Sequence, residues 1–164
     1  MRFFTVYGPR GRPDMAPYLF TKRVFAGEPI QMFGDGSTTR DYTYVDDIVT
    51  RVIASVDAGL PFQIINLGNS TPVSLRDFVA VVEAAIGRQT VIQRSGHYPD
   101  DVPHTLADTS KACQLLHYEP ATPVLDGMRR FVEWHREEVL AGESDLDRFA
   151  RTDDLTGRAG AFSA

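Results

Sequence analysis

The chain has 164 residues, 43% hydrophobic and 24% charged, which is the composition of one ordinary globular domain that can bury a core. The net charge of -5 excludes a global attraction for nucleic acid or an anionic membrane, so any anion must be bound by local arginines. The single cysteine, Cys113, excludes an internal disulfide, and no run approaches the ~20 apolar residues of a membrane helix. We therefore predict a soluble, cytoplasmic protein without nucleic-acid or membrane partners.

The first sixty residues alternate between strand-like and helix-like segments. The opening run RFFTVY is continuously apolar and aromatic, which predicts a buried strand inside a parallel sheet. Helical spacing of apolar residues then ends at Gly27, a typical helix stop. The predicted elements are a strand at 2–7, a helix at 15–26, a strand at 30–33, a turn at 34–37, an extended segment at 39–45 and a helix to about 58.

The rest of the chain continues the alternation up to a polar end. Ser74 is placed to cap a helix whose apolar stripe runs to Gly87. The predicted elements are strands at 62–67 and 90–93 and helices at 74–86, 109–116 and 124–140. This order predicts an α/β fold: the carboxyl-terminal part of a Rossmann-like, doubly wound sheet merged with a small substrate-binding lobe. We predict one unit over residues 1–140 and a flexible polar tail over 141–164.

Several separated strings match one known family in residue type, order and spacing. They are RFFTVYGPRGRPDMA at 2–16, GDGSTTRDYTYVDDIV at 34–49, INLGNSTPVSL at 65–75 and ADTSKACQLLHYEPATPVLDGMRRFVEWH at 107–135. The chain resembles the extended short-chain dehydrogenases/reductases of the NAD-dependent epimerase/dehydratase family, and within them the UDP-glucuronate 4-epimerases. The resemblance covers about residues 1–138.

The resemblance implies a nucleotide-sugar substrate and an NAD cofactor, yet two expected motifs are missing. The sequence holds no Gly-x-Gly-x-x-Gly turn of the kind that binds a dinucleotide pyrophosphate. The family's catalytic tyrosine and lysine lie upstream of its RFFTVYGP-like strand. We therefore expect a carboxyl-terminal half with no NAD site and no catalytic residue of its own. The four histidines lack metal-ligand spacing, so we also predict no metal site.

Three residues are the main candidates for substrate binding. The resemblance assigns Thr5 and Arg12 to a uronate carboxylate, and an arginine can grip a carboxylate through two parallel hydrogen bonds. Thr5 lies at the end of the first predicted strand and Arg12 in the loop just after it, where α/β sheets bind ligands. The resemblance assigns Arg40 to the nucleotide diphosphate. The simpler alternative for Arg40 is an ion pair with its neighbour Asp41.

The loop HYPDDV at 97–102 departs from the family pattern. By resemblance, Asp101 accepts hydrogen bonds from the ribose hydroxyls, and Tyr98 lies where relatives place an arginine or glutamine. Asp100 stands where relatives place a glycine and adds negative charge near a phosphate. We expect Asp101 and Tyr98 in the substrate site, with an altered nucleotide pocket.

Two pairs of residues imitate catalytic motifs. Tyr18 and Lys22 have Tyr-x-x-x-Lys spacing, but they follow GRPDMA, so we predict an ordinary helix face. Asp46 and Asp47 could act as an acid/base pair, and a helix N-cap is the simpler interpretation.

Three functions remain open from the sequence. The chain is the substrate half of an epimerase that is inactive alone, a non-catalytic UDP-sugar-binding module, or one half of a split enzyme. The first strand would present an unpaired edge, which predicts a homo-oligomer or a separate N-terminal partner.

Overall fold

The computed structural model describes residues 1–96 and 102–139. Seven short strands and five helices follow one another there, and the last helix continues into a π-helical turn at His135–Val139. They are β1 (Arg2–Phe3), β2 (Thr5–Tyr7), α1 (Ala16–Ala26), β3 (Ile30–Phe33), β4 (Thr39–Tyr44), α2 (Val45–Asp57), β5 (Asn66–Leu67), β6 (Pro72–Ser74), α3 (Leu75–Ile86), β7 (Ile92–Ser95), α4 (Ser110–Leu116) and α5 (Val124–Trp134). The predicted tail at 141–164 lies outside the described residues, and the boundary at 140 remains a prediction.

The strands form three small sheets that are mainly parallel. β1 pairs with β5 in parallel, and β3 pairs with β7 in parallel. The central sheet has the order β2-β4-β6, in which β2 and β4 are parallel and β6 is antiparallel to β4. Helices connect the parallel pairs, as crossover connections must. The predicted α/β fold with parallel strands is confirmed.

The first predicted strand is divided into two at Phe4. Its first part pairs with β5 and its second part pairs with β4, so the chain changes sheets within four residues. Tyr7 is buried, whereas the side chain of Phe3 remains 51% exposed within this chain. The prediction of one continuous buried strand is therefore wrong for β1.

The strand predicted at residues 62–67 is longer than the strand that the structure contains. Only Asn66 and Leu67 form a strand, and Phe62 is 91% exposed. Conversely, β6 was not predicted, because it opens with Pro72, which is unfavourable in a strand interior but tolerated at a sheet edge. β7 lies two residues later than predicted, where it is in register with β3.

Two helix caps differ in their outcome. Ser74 caps α3 as predicted: its hydroxyl accepts a hydrogen bond from the Asp77 amide at 3.0 Å. The cap prediction for Asp46 and Asp47 is wrong, because α2 begins at Val45 and Tyr44 is its N-cap residue. The Asp47 carboxylate instead accepts hydrogen bonds from two amides of the loop before α5.

Two hydrophobic clusters hold these elements together. The larger lies between the central sheet and helices α1, α3 and α5, where the ring of Tyr42 stacks on that of Phe78 at 4.1 Å. The smaller packs α2 and α4 against β5 around Leu67 and Tyr118. No helix in the described ranges is both long enough and apolar enough to cross a membrane.

Candidate functional site

A cleft of about 410 Å³ opens between the central sheet and the first helix. Its walls come from the start of β2, the loop before α1, α1 itself, β3, β4 and the first residue of α3. Its polar lining includes two arginines and one carboxylate. The lining residues are Thr5, Asp14, Met15, Ala16, Pro17, Leu19, Phe20, Arg23, Gln31, Phe33, Thr38, Arg40, Tyr42 and Leu75.

Thr5 lies where the chain passes from one sheet to the next. It follows β1 by two residues and is the first residue of β2, opposite Tyr42 of β4. The residue lines the cleft and also a second, open depression beside β1 and β5. Thr5 thus lies just beyond the carboxyl end of β1, which is parallel to β5, and at the amino end of β2.

Arg40 stands on β4 across the cleft from α1. Its Nη1 donates to the carbonyl oxygen of Thr39 at 2.8 Å and to that of Pro103 at 3.5 Å. These contacts tie the guanidinium to two backbone segments beside the cleft. The structure therefore brings Arg40 and Thr5 together on one cavity wall.

Asp41, the alternative ion-pair partner for Arg40, has a different role. Its side chain is fully buried, and its carboxylate accepts three backbone hydrogen bonds. The donors are the amides of Asn69 at 2.7 Å, Ser70 at 3.0 Å and Ala107 at 2.9 Å. Because neighbouring strand residues point to opposite faces, Asp41 binds two loops while Arg40 faces the cleft. These contacts favour a structural role for Asp41 over an ion pair between Asp41 and Arg40.

Arg12 lies beside the cleft rather than in its lining. Its Nε donates to Oδ1 of Asp14 at 3.0 Å, and its Nη2 donates to Oδ2 of the same carboxylate. Asp14 itself lines the cleft. The Arg12 guanidinium lowers the pKa of the Asp14 carboxyl through these hydrogen bonds, and the carboxylate raises the pKa of Arg12.

The remaining predicted positions are outside the cleft or outside the described residues. Tyr98 and Asp101, with Asp100, belong to the segment 97–101 and are not described. Tyr18 is buried against Phe131 and His135 and does not line the cleft, which supports the helix-face interpretation of Tyr18. Within the ranges 1–96 and 102–139, no group of three potential metal ligands is found.

Two buried tyrosines outside the cleft, Tyr7 and Tyr44, keep their phenolic protons. Burial, followed by the nearby tyrosine and carboxylates, raises the pKa of Tyr7, and burial and the Asp46 charge raise that of Tyr44. The Tyr7 hydroxyl donates to the carbonyl oxygen of Val124 at 3.1 Å. Both phenols thus remain protonated at neutral pH, and Tyr7 acts as a structural donor.

Sequence reasoning missed several cleft residues. Gln31 and Phe33 are alternate residues of β3 that point to the exposed side of that strand, and both line the cleft. Arg23 of α1 also lines the cleft, where its Nη1 donates to the carbonyl oxygen of Pro29 at 3.1 Å. The alternation of Gln31 and Phe33 with buried Ile30 and Met32 was visible in the sequence and could have indicated an open face.

The fold is that of a Rossmann-like α/β protein, and its cleft lies where β1 ends and β2 begins. Comparison with known proteins agrees. Residues 1–68 match the model of the NAD dependent epimerase/dehydratase family. The chain belongs to that family.

Individual relatives sharpen the comparison. A UDP-glucuronate 4-epimerase of Thermodesulfobacterium geofontis is 41% identical over 140 residues, which cover 85% of this chain and 43% of the relative. The crystal structure of a Bacillus cereus UDP-glucuronic acid 4-epimerase with UDP-glucuronic acid and NAD matches with a TM-score of 0.79 and 34% identity. That match covers 83% of this chain and 44% of the other.

A third match has a different sugar. The UDP-glucose 4-epimerase of Thermotoga maritima, solved with UDP-glucose, gives a TM-score of 0.78 at 28% identity and covers 83% of this chain and 45% of the other. This chain therefore spans less than half the length of each of these three proteins.

Proposed function

We propose that the chain is the carboxyl-terminal, nucleotide-sugar-binding portion of an NAD-dependent epimerase that interconverts UDP-glucuronate and UDP-galacturonate. The observation that carries this proposal is the cleft that holds Thr5 and Arg40 together, with the Arg12–Asp14 pair at its edge. Similarity to UDP-glucuronate 4-epimerases, one of them solved with UDP-glucuronic acid and NAD, supports the choice of a uronate.

Each candidate residue then has a role set by its chemistry. Arg40 binds the diphosphate, because two phosphates in a partly dry cleft need a fixed guanidinium. Thr5 and Arg12 hold the uronate carboxylate, as a hydroxyl donor and a bidentate fork. For Asp101 and Tyr98, which lie outside the described residues, the resemblance alone supports a role: Asp101 as acceptor from the ribose hydroxyls and Tyr98 as a nucleotide contact.

We assign no redox step to residues of this chain. In an enzyme of this kind NAD takes and returns the hydride, while the protein orients the sugar. The sequence carries no glycine-rich turn to hold that cofactor. Turnover therefore needs an NAD-binding part, supplied by a separate N-terminal half in the cytoplasm or by further chain, and we expect the 164 residues to be inactive alone. Formation of UDP-galacturonate by this chain with added NAD would contradict that expectation.

Binding by Arg40 is tested with calorimetry. We expect Arg40→Gln to weaken UDP binding by about tenfold or more, because it removes a charge-assisted contact to phosphate. Arg129→Gln is the matched control, since Arg129 is an exposed arginine on α5 that pairs with Asp126. The absence of heat from the wild-type chain at millimolar UDP would remove the proposal.

A non-catalytic UDP-sugar-binding module is the second candidate. It uses the same cleft and the same arginines and needs no cofactor site. The two candidates differ when an N-terminal half from a related epimerase is added with NAD. Restored epimerisation supports the enzyme portion, whereas binding without restored turnover supports the module.

A further inference from the structure

The carboxylate of Asp14 accepts two hydrogen bonds from the Arg12 guanidinium, as the carboxylate of a bound ligand would. Both oxygens of Asp14 accept from one side of the guanidinium, Oδ1 from Nε and Oδ2 from Nη2. This fork-to-fork geometry is the one that arginine uses for bidentate recognition of carboxylates. A uronate that approaches Arg12 from the cleft therefore competes with a carboxylate already in place.

Asp14 does not serve as the capping residue of the helix that follows it. The residue comes two positions before α1, whose N-cap residue is Met15 and which has no side-chain cap. Asp14 thus directs its carboxylate to Arg12 instead of capping the first turn. It also lines the cleft, whereas Arg12 does not, so the pair connects the cleft to the guanidinium outside it.

The pair is also easily exchanged. The side chains of Arg12 and Asp14 are 74% and 62% exposed, and an ion pair in such contact with water contributes little. Only one residue, Pro13, separates the partners in sequence, and they lie in a loop where Met15 N and Arg12 O are 3.4 Å apart. A ligand carboxylate can therefore displace Asp14 without disturbing a helix or a sheet.

We propose that Asp14 is a specificity-determining residue. Its carboxylate pairs with the Arg12 guanidinium in place of a uronate carboxylate, and a bound uronate displaces it. This rests on the proposed function of the cleft. Because displacement of Asp14 opposes uronate binding alone, Asp14 lowers the preference for a uronate over the matching neutral sugar. A neutral hexose leaves the Arg12–Asp14 pair intact.

The test compares two nucleotide sugars that differ only at the carboxylate. UDP-glucuronate and UDP-glucose are titrated into the wild-type chain and into Asp14→Asn by calorimetry. We expect the variant to bind UDP-glucuronate roughly two- to fivefold more tightly, the range of an exposed ion pair, and UDP-glucose unchanged. Asp126→Asn, which removes the exposed partner of Arg129 on α5, should change neither affinity.

The outcomes separate this inference from the function it rests on. If the wild-type chain binds neither sugar, both the proposed function and the role of Asp14 are wrong. If it binds both but Asp14→Asn leaves their ratio unchanged or weakens UDP-glucuronate, only the role of Asp14 is wrong. A general loss of packing would lower both affinities together, which also contradicts the inference.

Discussion

Gly68 packs closely against Asp41, the residue next to Arg40 of the cleft, and leaves no room for a side chain. A side-chain carbon added there would lie 2.3 Å from Cβ of Ala107 and 2.8 Å from Oδ2 of Asp41. The carbonyl of Gly68 also accepts from the Tyr118 hydroxyl at 2.8 Å, so its backbone cannot withdraw freely. Gly68 is therefore needed where the Asp41 carboxylate accepts its three backbone amides, a group of contacts that we call the Asp41 cradle. Asp41 is the residue that follows Arg40 on β4.

We expect Gly68→Ala to reduce the free energy of unfolding by about 1–3 kcal/mol, the usual cost of overpacking a filled interior. Urea denaturation followed by circular dichroism measures the change. Gly96→Ala is the control, because a side-chain carbon at Gly96 meets no atom within 4 Å. Equal midpoints for the two variants would show that the Asp41 cradle tolerates the methyl group.

Residues of the site differ in how far the sequence could predict them. Thr5 and Arg40 were predicted through family resemblance, and the cleft lining contains both. The partner of Arg12 was not predicted, because the hydrogen bonds to Asp14 depend on the turn that the loop makes. The role of Asp41 was equally hidden, since its three donors lie 28 to 66 residues further along the chain.

At the scale of elements, helices were predicted better than strands. The bounds of α1 and α3 agree closely with prediction because a helix is specified by its own periodic stripe and by a glycine stop, here Gly27 and Gly87 in left-handed conformation. A strand exists only where a partner is in register, and that information is not local. This is why the apolar run at 62–67 yields two strand residues and why β6 was missed.

The contact between α1 and the end of α5 has a pH dependence of its own. His135 is 1% exposed, its ring stacks on Phe25 at 5.3 Å, and neither ring nitrogen has a hydrogen-bond partner among the described residues. Burial, followed by the charge of Lys22 on α1, lowers the pKa of His135 below 6.5. A second cation, Arg136, lies over the Phe25 ring, with its guanidinium carbon 5.7 Å from the ring centroid.

A histidine whose pKa is lowered on folding stabilises the protein least in acid. The unfolded chain takes up the proton first, so stability is lost as the pH falls below about 6.5, by at most about 1.4 kcal/mol per pH unit. We expect His135→Phe to remove this part of the slope in urea denaturation between pH 7.5 and 5.5. His117→Asn, at an exposed helix end, should keep it, and an unchanged slope in His135→Phe would contradict the buried neutral state.

At the scale of the whole molecule, several large apolar side chains remain exposed. Ile53 and Val56 of α2 are 59% and 77% exposed, and Phe62 follows them at 91%. Phe3, on β1, is 51% exposed as well, and β5 is the partner of β1 among the described strands. An apolar helix stripe together with a strand edge is typical of a surface that another chain or domain covers.

We therefore expect the chain to associate with itself when no other partner is present. Sedimentation velocity at rising protein concentration should show a growing oligomer fraction, because exposed apolar area is the driving force. The double variant Ile53→Lys, Val56→Glu should sediment as a monomer with an unchanged circular dichroism spectrum. Val91→Lys is the matched control, since Val91 is similarly exposed beside β7. A wild-type chain that is monodisperse and monomeric at every concentration would contradict the association, and equal effects of the α2 and Val91 variants would place its surface elsewhere.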